Sequence, residues 1–199
     1  MSPSGWTDYD EGYLRARHWA ETLGGGGALP VEPAPVPLDP GEVAHARIAP
    51  VTFAAYFVQG TPYQPSFFVF GGPVGLAVTA SVQYGRDAAW RAQAQRAGAP
   101  QWHSLGAAGV LVTSRRLIVT GDNRSGELAY SQIGAVQLVA GMNGGPAVQL
   151  QPAGEPALQL ASPWAPVLYV FVRHLVDGRP PAVPIPPAVL ERAQAEGRI

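Results

Sequence analysis

The chain has no cysteine among its 199 residues. That excludes disulfides, thiol nucleophiles and cysteine-ligated zinc. Lysine is missing too: all 13 basic residues are arginine. Together with 24 Gly, 21 Pro and much Ala, this points to GC-rich coding rather than to selection for guanidinium chemistry. Charge of either sign is scarce, at 14% of residues against a usual value of about a quarter. The net charge of -1 supplies no field to recruit nucleic acid or an anionic surface. The N-terminal stretch MSPSGWTDYDEGYLRARHW has neither a basic leader nor an apolar run, so no secretory signal is expected. The expected location is the bacterial cytoplasm.

What is present is nearly half apolar, enough for one domain with a real core. Residues 7–23 read as a short helix, with Thr7 or Asp8 as cap, Glu11 in the first turn and Gly24 beyond the end. The following GGGGALPVEPAPVPLDPG is a flexible glycine run and a Pro-rich spacer over 24–41. The folded domain is expected over 42–178, and 179–199 is again Pro-rich, with a turn or two of helix from Pro187. After Gly109 come short β-rich runs with tight turns between them: GVLVT, LIVT, ELAYSQI, AVQLVA, PAVQLQ and ALQLA. The Asn-Gly inside GMNGG is a strong hairpin signal. Together they predict an antiparallel meander curling into a sandwich or barrel. It runs into SPWAPVLYVFVRHLVDG, a helix with Ser162 as cap, Pro163 at the first position and Gly178 as stop. Trp164, Val167, Leu168, Phe171 and Leu175 fall on one face of it.

Between Ile48 and Gly85 there is no charged residue at all. Gly71-Gly72-Pro73 interrupts this run, and from Pro73 only twelve uncharged residues remain before Gly85, about 18 Å of helix. That is too short to span a bilayer. An apolar stripe through Ala77, Ser81 and Gly85 continues past Arg86 into the charged residues beyond. One amphipathic helix over 73–97, about 37 Å long, therefore accounts for both halves. Its small-residue stripe suits close packing, on its own domain or on another chain. SFFVF ahead of it reads as a short strand or an anchoring patch.

GVLVTSRRLIV followed by LAYSQIGAVQL resembles the pleckstrin-homology-like (PH-like) superfamily, specifically its GRAM and bacterial PH-type domains. The matching positions are Leu111, Thr113, Arg116, Leu117, Tyr130, Ile133 and Val136, with Trp164 in the terminal helix. The whole chain also resembles a group of actinobacterial proteins. The resemblance implies a mainly β fold with helices, a curled antiparallel β-sandwich or barrel closed by a C-terminal amphipathic helix. In this chain it carries a long insertion over about 60–104. Domains of this kind bind lipids, peptides and proteins from one scaffold, so the resemblance leaves the ligand open. The phosphate-holding basic cluster of lipid-binding members is reduced here to His45 and Arg47.

No nucleophile elbow, zinc-protease motif or phosphate loop is present, and His18, His45, His103 and His174 are spaced unlike metal ligands. No catalytic, cofactor or metal residue is assigned, and no nucleic-acid partner is expected. The first expectation is a non-enzymatic interaction module, binding a partner protein or a second copy of itself through Ala77, Ser81 and Gly85. The alternative is a peripheral membrane or lipid binder, with Phe67, Phe68 and Phe70 as an apolar wedge beside arginines. Arg115 and Arg116 are further contact candidates, although Arg116 also suits a structural role bonded to turn carbonyls.

Overall fold

A computed structural model describes residues 5–58, 68–70, 100–121 and 124–199. Eight strands and three helices make an α+β fold: α1 (Asp8–Gly24), β1 (Ala44–Phe57), β2 (Phe68–Phe70), β3 (Gln101–Thr113), β4 (Arg116–Gly121), β5 (Arg124–Ala129), β6 (Ile133–Ala140), β7 (Pro146–Pro152), β8 (Leu158–Ala161), α2 (Ala165–Asp177) and α3 (Pro187–Ala195). A single 3-10 turn, Tyr130–Gln132, separates β5 from β6.

All strand pairs are antiparallel, and the order is β2-β5-β4-β3-β1-β8-β7-β6. β1 is the hinge of this arrangement. It pairs with β3 along its length and with β8 over Thr52–Ala55. Its ladder breaks between Ile48 and Val51, where Pro50 has no N–H to contribute. The β2 and β6 edges do not pair, so the sheet is open and the closed-barrel form of the expectation is not realised. β3 begins at Gln101, which moves the end of the insertion a few residues earlier than expected. The helix expected over 73–97 lies outside the described residues, as do Phe67, Ala77, Ser81 and Gly85.

The meander follows its local signals. The β6–β7 turn closes with Gly141 N–H donating to the Gly145 carbonyl at 2.7 Å, and Gly144 takes φ 77°. That left-handed conformation is why an Asn-Gly pair sits there. α2 starts two residues later than its Pro signal suggested. Ser162 Oγ accepts from Trp164 N–H at 3.3 Å, Pro166 occupies the first turn and Gly178 (φ 71°) ends the helix.

α2 packs on β6, β7 and the 3-10 turn, burying Leu168 and Phe171 as its spacing predicts. Val170 and Val172 are buried as well, because α1 covers a further side of the helix. α1 is set by a capping box, with Thr7 N–H donating to Asp10 Oδ2 at 2.9 Å and Asp10 N–H to Thr7 Oγ1 at 3.4 Å. It seats Ala16 and Leu23 in the core, and Trp19 meets Phe171 edge to face with centroids 5.4 Å apart. Its approach is so close that Gly12 lies against the Pro163 carbonyl.

The middle of the spacer over 24–41 is tied to the domain. Glu32 N–H bonds the Ala44 carbonyl at 2.9 Å, and His45 Nδ1 lies 2.6 Å from the Pro30 carbonyl. The C-terminal segment folds back in the same way: α3 meets α1 and buries Val189 and Ala193.

Candidate functional site

Arg115 and Arg116 adjoin in the β3–β4 turn but serve different contacts. Arg115 Nη2 donates to the Pro40 carbonyl at 3.2 Å, near the surface. Arg116 is held by three carboxylates: Glu42 at 2.9 Å, Asp39 at 3.3 Å and Glu127 at 2.5 Å. The carbonyl contact expected of Arg116 thus belongs to its neighbour, and Arg116 is an internal tie between the spacer and β5.

Beneath it, the Glu42 side chain is fully buried. Burial alone would raise the Glu42 carboxyl. The Thr113 hydroxyl at 2.5 Å, the Asp39 N–H at 3.0 Å and the Arg116 guanidinium outweigh that and hold it below the usual range. Tyr130 donates its phenol to the Thr113 carbonyl at 2.8 Å. Burial, helped by the Glu42 charge, pushes this phenol well above its ordinary value. Four of the motif positions behind the resemblance therefore meet here or next to it: Thr113, Arg116, Leu117 and Tyr130.

Phe68 and Phe70 lie in β2, opposite Gly126 and Arg124 of β5, at one open edge of the sheet. The other open edge, β6, borders a larger feature. A groove of about 610 Å³ runs between Leu138–Ala140 of β6, the β6–β7 turn, the first turns of α1 and the start of α3.

The direction of the β6 backbone follows from the register. Ala140 faces Pro146 across the β6–β7 ladder. Proline has no N–H to give, so this is a pair whose backbone groups point away from each other. The Pro146 carbonyl indeed turns the other way, accepting from Ser162 N–H at 3.4 Å. Counting back in twos, Leu138 and Val136 also turn N–H and C=O toward the open edge. Arg173 Nη1 reaches the Val136 carbonyl from that side at 3.4 Å. Leu138 and Ala140, further along, present theirs to the groove.

Tyr9 and Tyr13 of α1 form the opposite wall. Tyr9 is 39% exposed and packs on Gly145, where even a Cβ would meet its ring at 2.9 Å. Partial burial raises the Tyr13 phenol above its ordinary value, so Tyr13 presents a neutral hydroxyl. Asp10 and Arg192 close the end of the groove. Burial opposes the Asp10 charge, but the Arg192 and Thr7 hydrogen bonds prevail and lower its carboxyl below the ordinary range. The site is therefore aromatic and apolar along its walls, with main-chain groups that are unpaired among the described residues on one side and a paired ion couple at one end.

Sequence reasoning placed a helix over 7–23 but not its position opposite β6. That place depends on strand order, which no local pattern encodes. Among the described residues, no cluster of three or more His, Asp or Glu is arranged to hold a metal ion. No described helix is long and apolar enough to cross a membrane. No protein-family model matches the chain, and no curated protein matches it in sequence.

Proposed function

We propose that the chain is a non-enzymatic interaction module of the PH-like type, and that its β6 edge takes an extended segment of a partner protein. The observation that carries this reading is the outward-facing main chain of Leu138 and Ala140, set in a groove walled by Tyr9 and Tyr13. Unpaired strand edges recruit a further strand through main-chain hydrogen bonds, while flanking pockets choose its side chains. Support for the PH-like class comes from the antiparallel sheet whose first strand serves both halves, and from the helix that follows the last strand and packs back on it.

Peptides selected from a random display library against the full chain are expected to slow hydrogen exchange at the Leu138 and Ala140 amides. Leu138→Pro removes one outward N–H without touching the β7 ladder, and it should weaken those peptides. Selected peptides that leave both amides unprotected would sink the proposal. Self-association through 73–97 is the second route to the same class of function. Light scattering with and without those residues tests it: one monomeric mass in both cases removes it.

A further inference from the structure

A second, separate cleft of about 340 Å³ lies where the spacer crosses β1 beneath α1 and α2. Three aromatic side chains line it: Trp19, Trp164 and Phe171. Trp19 stands edge-on to Phe171, and the Arg15 guanidinium lies 5.5 Å from the Trp164 ring centroid, capping that ring on the outside.

His45 supplies the polar centre. It is 8% exposed, and its Nδ1 lies 2.6 Å from the Pro30 carbonyl. A carbonyl only accepts, so Nδ1 carries the hydrogen, and in the neutral form of the ring Nε2 is an acceptor. Among the described residues Nε2 has no partner, yet it is not sealed from the surface. An acceptor left open at the surface of an aromatic wall can take a donor from a ligand.

Charge at the rim narrows the ligand further. Arg15 is shared with Glu11 at 2.9 Å, whereas Arg47 has no ion-pair or hydrogen-bond partner among the described residues. Glu32, also on the rim, repels a second negative charge. The cleft is at the small end of the range for ligand sites, about 300–1,000 Å³, which suits one ring and a short side arm.

We infer that this cleft is a binding site for a small aromatic monocarboxylate carrying a ring hydroxyl or N–H. The ring lies between Trp19 and Trp164, its carboxylate meets Arg47, and its donor meets His45 Nε2. The inference does not rest on the β6 groove, which shares no lining residue with this cleft.

Calorimetry and tryptophan fluorescence on the full chain test it with three probes: para-hydroxyphenylacetate, its neutral amide, and phenylacetate. The hydroxy acid should bind and change the fluorescence of the wall tryptophans. The amide and the acid lacking the hydroxyl should each bind at least about tenfold more weakly, the worth of one charge-assisted or buried hydrogen bond. Arg47→Gln, at an exposed position with no partner among the described residues, should erase the acid-over-amide preference without disturbing the fold. His45→Phe should erase the preference for the hydroxyl. No heat and no fluorescence change at millimolar para-hydroxyphenylacetate would overturn the inference. So would equal affinity for acid and amide, or an acid preference that survives Arg47→Gln.

Discussion

Arg192 Nη2 lies 2.6 Å from Asp10 Oδ1, and its Nε lies 3.1 Å from Asp10 Oδ2, a two-pronged bond between residues near opposite ends of the chain. The Asp10 side chain is 1% exposed, so its charge depends on this partner and on Thr7. Arg192→Ala is expected to cost about 1–3 kcal/mol, because it leaves a buried carboxylate short of donors. Arg192→Lys recovers only part of this, since an ammonium cannot reproduce the fork. Arg198 pairs with Glu11 at the surface, and Arg198→Ala should cost less than about 1 kcal/mol. Urea titrations of the three variants check the ranking.

Stability should fall with acid in a defined window. Asp10 and Glu42 both hold their protons less tightly in the folded chain than their ordinary values of 3.8 and 4.5. A lowered folded value means that the stabilisation is complete above the ordinary value and is lost as pH falls through the folded one. The urea midpoint should therefore be flat near neutrality and drop below about pH 4.5. In Arg192→Gln the Asp10 share of this acid limb should shrink. A limb unchanged in that variant would show that Asp10 is not held down by Arg192.

Gly12→Ala offers a test in which two effects have opposite signs. In an isolated helix the change stabilises by about 1 kcal/mol. Here the added methyl would overlap the Pro163 carbonyl, a backbone atom that cannot step aside cheaply. The expected result is a net loss of about 1–3 kcal/mol and a weaker near-ultraviolet signal from Trp19 as α1 lifts away. A stabilised variant would mean that α1 does not rest on that turn.

Thr113 joins four segments through one side-chain oxygen and one carbonyl. Its hydroxyl donates to Glu42, receives the Arg115 and Arg116 N–H groups at 3.2 and 3.0 Å, and its carbonyl takes the Tyr130 phenol. Thr113→Val keeps the shape and removes the hydroxyl, taking one donor from the buried Glu42 carboxylate and the side-chain acceptor from two N–H groups. A loss of about 2–4 kcal/mol is expected. Thr113→Ser keeps the network and should lose about 1 kcal/mol for the missing methyl. Equal losses in the two, measured by chemical denaturation, would count against the network.

The elements that could be read from sequence are those set by nearest neighbours. Gly178 ended α2, Asn143-Gly144 turned the β6–β7 hairpin, and the strands of the meander fell where β-rich runs met turn residues. What escaped was whatever joins distant segments. Composition made the spacer read as a tether, yet Pro30 and Glu32 are bonded to His45 and Ala44. Arg116 was visible as a turn residue, but of its three acids Asp39 comes from that spacer, Glu42 from just beyond it and Glu127 from β5. Val170, on the side of α2 away from Leu168, is buried as well, and nothing local announces that. The candidate groove was illegible for the same reason, since an open edge is a property of the whole sheet.

The seat of α1 against α2 has a consequence for how the chain emerges from the ribosome. Residues 8–24 are made well before the surface they rest on, 165–177. Domains generally assemble from the N-terminal end as synthesis proceeds. This helix instead waits through most of translation with Ala16, Leu23 and Trp19 unsheltered, and it settles only after the sheet and α2 exist. α1 is made before its seat exists, and until then its apolar side is open to chaperones or to another nascent chain.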